Sequence, residues 1–182
     1  GDPMKDPQGL THLNAEGRPC MVDVGAKAVT RRRAVAVGRL ELDVPCARAL
    51  ERGGGPKGDP WSVVRLAAVG GVKRTADLIP LAHPLLLDAI DVDHHWDPER
   101  RWAWLRVAVS CEGRTGVEME ALAGVTVGLL ALYDMLKAAG HGMTLGPVKL
   151  LRKEGGRRGR VAVSWPECPW NEAPSAGEGA SS

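Results

Sequence analysis

The sequence predicts an α+β domain with a ferredoxin-like antiparallel sheet packed against helices. Three observations carry that expectation. Strand-like runs lie near both ends, a hairpin pattern separates two helical stretches, and the elements follow one another as β, helices, β, β, α, β. No internal repeat competes with this order.

The first strand is "RAVAVGRLELD", residues 33–43, whose alternation and Val/Leu content suit a half-buried strand ending near Pro45. "VPCARALER" then reads as a short helix closed by Gly53, Gly54 and Gly55. In "DPWSVVRLAAVGGVKRTADLI", Asp59 stands at the N-cap and Pro60 at the first helical position, so a helix is expected from there toward Ile79. "LLLDAIDVDHHWD" (85–97) and "RWAWLRVAVSCE" (101–112) are period-two runs around "DPER" and form an antiparallel hairpin. A long helix follows, from Thr115 to the glycines at 140 and 142. Its start, "TGVEMEALAG", has the form of a capping box between Thr115 and Glu118. "GPVKLLRKEG" and "RVAVSW" complete the sheet on either side of a glycine-rich, basic loop.

A chain of 182 residues with 44% hydrophobic content suits one domain with a substantial core. Residues 1–9 read as an N-terminal extension, with Gly1, Asp2 and Pro3 ahead of Met4 expected to be a cloning remnant. Residues 10–165 read as the single domain, and 166–182 as a disordered tail. A net charge of +2 gives no bulk electrostatic case for nucleic acid or a membrane. No run approaching about 20 apolar residues and no signal-peptide layout is visible, so a cytoplasmic location without a membrane partner is expected. Cysteines 20, 46, 111 and 168 lack CxxC spacing and are expected to be reduced thiols.

Capping accounts for Glu118 but not for Glu120, nor for Asp134 and Lys137 in "YDMLK". Glu120 and Asp134 lie on nearly one helix face, about 20 Å apart along the axis. Asp134 and Lys137, three residues apart, have the spacing of an ordinary surface pair. Lys57 in "PKGDP" has the ordinary explanation of a solvated loop lysine, and Lys73 and Arg74 lie near a helix. His83 could be a satisfied core histidine, and Lys153 in "LLRKEGGRRGR" part of a charged hairpin tip. Together they share a chemistry. Cations in glycine-bounded loops suit phosphates, and a carboxylate beside a lysine suits proton transfer. No zinc spacing, Walker A motif or GxGxxG is present, so neither a structural metal nor common nucleotide-binding machinery is expected.

The blocks "LTHLNAEGRPCMVDVGAKAVTRR", "KRTADLIPLAHPLLL", "GRTGVEMEAL", "YDMLKA" and "GPVKLLRKEGGRRG" carry a resemblance. In order and with similar spacing over about residues 10–160, they resemble the molybdenum cofactor biosynthesis protein C family, the cyclic pyranopterin monophosphate synthases. The resemblance implies conversion of (8S)-3',8-cyclo-7,8-dihydroguanosine 5'-triphosphate, a cyclised dihydro-GTP, to cyclic pyranopterin monophosphate and diphosphate. It implies a catalytic aspartate at Asp134, a neighbouring catalytic lysine at Lys137, and further catalytic or phosphate-contacting lysines at Lys57 and Lys153. Leu81, Ala82, His83, Met119 and Glu120 match segments that bind substrate, Lys73 and Arg74 match a basic pair, and Glu118 keeps its capping reading beside a site role. Ala82 replaces a cysteine frequent in the family, so a thiol role there is not expected. No cofactor is implied beyond magnesium accompanying the triphosphate. The implied assembly is a hexamer built as a trimer of dimers, with sites at subunit contacts and substrate handed over from the preceding radical enzyme.

Two alternatives bear on the same residues. An RNA-binding ferredoxin-like module would stack bases on sheet aromatics; the chain has no Phe and one Tyr, although Trp102 and Trp104 share a strand face. A generic phosphohydrolase would ordinarily need a metal cluster, and none is legible.

Overall fold

A computed structural model describes residues 12–171. The elements are β1 (Thr30–Glu41), α1 (Val44–Glu51), α2 (Pro60–Lys73), α3 (Thr75–Leu78), β2 (Ala89–Asp97), β3 (Trp102–Gly113), α4 (Glu118–Leu136), β4 (Thr144–Glu154) and β5 (Val161–Ala162). They build one sheet in the order β2-β3-β1-β4-β5, with every neighbouring pair antiparallel. The first four strands have the ferredoxin-like order, and a two-residue strand is added at the β4 edge. The fold class is the one the sequence predicts.

Local chemistry explains where the elements begin and end. Asp59 accepts hydrogen bonds from the Trp61 and Ser62 amides, so α2 starts at Pro60 as expected. It stops at Lys73, short of Ile79, because the Thr75 hydroxyl donates to the Gly71 and Val72 carbonyls and α3 follows as a separate turn. β1 ends at Glu41 rather than residue 43, since Asp43 leaves the strand to cap α1. Its carboxylate accepts from the Cys46 amide and also from the Gly142 amide, each at 2.9 Å, tying the segment after α4 to the start of α1. Burial and the Asp43 carboxylate push the Cys46 thiol up to about 12, so it stays protonated. All four cysteines are free thiols. In the hairpin turn Asp97 accepts from the Glu99 and Arg100 amides, as its Asp-Pro signature predicts. β2 begins at Ala89 instead of residue 85, which leaves 79–88 as a loop.

The main core lies between the sheet and α2 and α4. Ala34, Ala36 and Leu40 of β1 and Leu105, Val107 and Val109 of β3 meet Ala121, Val125, Leu129 and Leu132 of α4. α4 crosses β1 over Gly38, where a Cβ would come within 2.8 Å of both Val125 Cγ1 and Val148 Cγ2. α2 and α4 also meet through small residues; a Cβ on Gly124 would stand 2.6 Å from Val72 Cγ2. Larger residues here would cost on the order of 1–3 kcal/mol by overpacking. Contrary to expectation, one segment, α4 itself, is long and apolar enough by length and composition to cross a membrane. Its apolarity has a structural reason, because one face is buried on the sheet and another on α2.

The opposite sheet face is covered as well. Val35, Val37, Trp104, Ala108 and Leu151 pack under the last described segment through Trp165 and Cys168. The Trp104 and Trp165 rings meet edge to face at 5.1 Å, and Glu167 pairs with Arg39 at 2.6 Å. Residues 166–171, expected in the tail, therefore belong to the packed structure, because two apolar side chains here find a sheet face to cover. Residues 172–182 and the 1–9 extension fall outside the described residues. Trp104 is 1% exposed, and the Arg39 guanidinium lies 3.6 Å from the Trp102 ring centroid, so these tryptophans offer no open platform for stacking bases.

Candidate active site

The 79–88 loop, the first turn of α4 and the arm leading into β1 enclose a two-part cleft. The inner cavity, about 370 Å³, is lined by Leu81, Ala82, His83, Met119 and Glu120, with His12 and Val22 from the arm. The outer cavity, about 700 Å³, shares Lys27, Thr115, Gly116 and Glu118 with the inner one and adds Arg32, Lys153, Arg157 and Arg158. A smaller recess of about 170 Å³ on the other side of Glu120 brings in Lys73 and His83. Six predicted substrate-binding residues thus line one cavity, and Lys153 stands beside it.

Glu118 does not form the expected capping box. Val117 is the N-cap of α4, and no side chain bonds the free amides there. The Glu118 carboxylate instead lies over Gly116, an approach a side chain at 116 would block, and reaches Lys153 Nζ at 2.5 Å. The pair satisfies the charges of both Glu118 and Lys153, whereas a capping bond would satisfy one backbone amide, which explains the departure. Lys153 is delivered from the far end of β4, where it pairs with Ala34 across the sheet.

Glu120 is 5% exposed. Burial pushes its carboxyl above the ordinary glutamate value; a bond from its own amide partly offsets this, and the Glu118 carboxylate adds to the rise. The folded chain therefore keeps this proton at pH values where the unfolded chain has released it. The contribution to stability is fully present below the unfolded pKa and is lost as pH rises through the higher folded one. Glu120→Gln cannot ionise, so its melting temperature is expected to gain on the parent's as pH rises from about 4 to about 8. Melting curves for both proteins across that range provide the test; a difference independent of pH would contradict an ionisable buried Glu120.

The remaining predicted catalytic residues gather elsewhere. Asp134, near the C-terminal end of α4, accepts from Lys137 at 2.6 Å and from Lys57 of the α1–α2 loop at 3.1 Å. The Lys137 bond, followed by the Lys57 bond, holds the Asp134 carboxyl below the usual range, and Asp134 in turn raises Lys137. What the spacing suggested as a surface pair is a three-membered cluster whose third member is distant in sequence. Every member is about half exposed, so the cluster contributes little to folding. Along α4, about 20 Å separates Asp134 from Glu120. One chain therefore brings each group together but not the two groups to each other. Arg74 lines none of these cavities; its amide donates to the Gly70 carbonyl and closes α2.

Residue-by-residue reading missed Lys27, Arg32, Arg157 and Arg158. Arg32 is 8% exposed, and its Nε donates to the Gly113 carbonyl at 3.1 Å. In sequence it is one of three consecutive arginines and cannot be told from its neighbours. β1 begins at Thr30, before the expected start at residue 33, and only with the strand extended to include it does alternation turn Arg32 to a different face from Arg31 and Arg33. Among the described residues no three His, Cys, Asp or Glu side chains converge as a metal site would require.

The sequence model of the MoaC family matches residues 21–156. The chain is 46% identical over 151 residues to a cyclic pyranopterin monophosphate synthase of Pelotomaculum thermopropionicum, covering 83% of this chain and 89% of that protein. Proteins of the same name from Parvibaculum lavamentivorans and Cereibacter sphaeroides are each 45% identical, over 150 and 156 residues. These matches cover 82% and 86% of this chain, and 94% and 98% of the respective relatives. With the ferredoxin-like sheet and the cleft formed by the resembling blocks, these matches show that the chain belongs to the MoaC family.

Proposed function

We propose that this chain is a cyclic pyranopterin monophosphate synthase, converting the cyclised dihydro-GTP to cyclic pyranopterin monophosphate and diphosphate. The observation that carries the reading is the two-part cleft: a cavity of ring size joined to one rich in cations. A purine-derived triphosphate has the matching two parts. Forming the cyclic phosphate requires a sugar hydroxyl oxygen to bond to the α-phosphorus while the bond from that phosphorus to the α–β bridging oxygen breaks. The electron pair leaves on diphosphate, the hydroxyl proton passes to a base, and no oxidant or reductant is consumed. Opening and reclosing the purine as a pterin adds further proton transfers.

The residues divide accordingly. Leu81, Ala82, His83, Met119 and Glu120 seat the ring system, with Lys73 behind Glu120. Lys153, released from Glu118 by a more highly charged partner, faces the α-phosphate. Asp134, Lys137 and Lys57 supply proton transfer, with the carboxylate raising Lys137 and holding both lysines in place by ion pairs. The distance along α4 supports a site shared by two chains, one giving Glu120 and the other Asp134, within a hexamer arranged as a trimer of dimers. Magnesium enters with the triphosphate, the reaction is cytoplasmic, and the preceding radical enzyme hands over the substrate.

Lys57→Ala and Lys153→Ala are each expected to lose most turnover without unfolding, since each removes a cation facing a multiply charged substrate and neither belongs to the core. Product formation measured beside thermal melting is the check. Near-normal turnover in both variants would return these lysines to the role of solvated surface charges.

A further inference from the structure

We infer that Arg157 and Arg158, on the loop between β4 and β5, bind the two phosphates that leave as diphosphate; this rests on the synthase reading above. The cleft has a direction. The ring seat lies at one end, Lys27 and Glu118 stand where the cavities meet, and the two arginines line only the outer cavity. A nucleotide-like substrate with its ring in the inner cavity extends sugar first, then α-phosphate, then the β- and γ-phosphates toward that outer wall.

Charge in the outer cavity agrees with this order. Five cations line it against one carboxylate, Glu118, and that carboxylate is already matched by Lys153. Arg32 is buried, spends only its Nε on a carbonyl, and has no carboxylate within ion-pair distance among the described residues. It is a fixed guanidinium beside the cavity rather than half of a structural ion pair.

The loop is also shaped to bring its arginines there. Gly155 and Gly156 both have positive φ, 96° and 77°. A Cβ on Gly155 would run into the Arg31 carbonyl oxygen, and one on Gly156 into Arg32 Nη1. The two glycines thus let the loop lie against β1 and the Arg32 guanidinium, with Arg157 and Arg158 following directly at the cavity wall. A loop that only kept a hairpin tip soluble would not need that approach.

The test uses inorganic diphosphate as the probe, titrated calorimetrically into the parent protein and into a variant carrying both Arg157→Ala and Arg158→Ala. The parent is expected to bind diphosphate and the variant to bind it about tenfold more weakly or worse, with binding of the cyclic monophosphate product little changed. Equal diphosphate binding by both proteins, no measurable binding by the parent, or equal weakening for both products would each overturn the inference. Turnover of the cyclised triphosphate by the parent is measured separately, so failure of the synthase reading is distinguished from failure of the arginine assignment.

Discussion

Asp134→Asn is expected to form product about a hundredfold more slowly than the parent, or slower still, while binding substrate almost as well. The substitution keeps size and polarity but removes the charge that accepts from Lys137 at 2.6 Å and Lys57 at 3.1 Å. Two lysines then face each other without their shared counterion, and the proposed proton-exchanging group is gone. Single-turnover rates beside equilibrium binding separate the two effects. Unchanged turnover would leave the cluster as an exposed ion triad, worth little to stability or chemistry.

The second large effect is a gain. Glu120→Ala and Asp134→Asn proteins are each expected to be nearly inactive, and mixing them under conditions that exchange subunits is expected to restore part of the activity. About 20 Å of helix separates the two residues in one chain, so under the proposed shared site a compact substrate would take one from each of two chains. In a mixed pair, one site inherits both lesions and the other neither. Exchange is verified by mass spectrometry of differently labelled chains; with exchange verified, a mixture no more active than its parents would contradict the shared site.

Local chemistry was the most legible part of this sequence. Asp59 before Pro60, and Asp97 before Pro98, act through neighbours within three residues, so the start of α2 and the hairpin turn could be read directly. Glu118 shows the limit. Its sequence neighbours make a capping box, but its partner is Lys153, 35 residues away on a strand whose far end the sheet brings alongside. Lys57 joins Asp134 from 77 residues away because α2 packs along α4 and carries the loop before it to the end of that helix. The resemblance supplied most of the predicted site, and sheet pairing for Lys153 and helix packing for Lys57 decide which of those residues meet within one chain.

Composition misled in two places. The stretch after Trp165 reads as the start of a tail, but Cys168 is buried against the outer sheet face and Trp170 packs beside it. The outer-cavity arginines lay in runs that are equally well explained as solvated charge. A guanidinium facing a cavity and one facing water have the same sequence signature; the difference comes from what the β1–β4 pairing places opposite them.

Purified protein supplied with the cyclised dihydro-GTP, with pterin product and diphosphate followed together, tests the synthase activity itself. Both products are expected to accumulate in equal amounts, at a rate sharply reduced by Asp134→Asn. Folded parent protein that releases neither product would contradict the synthase reading.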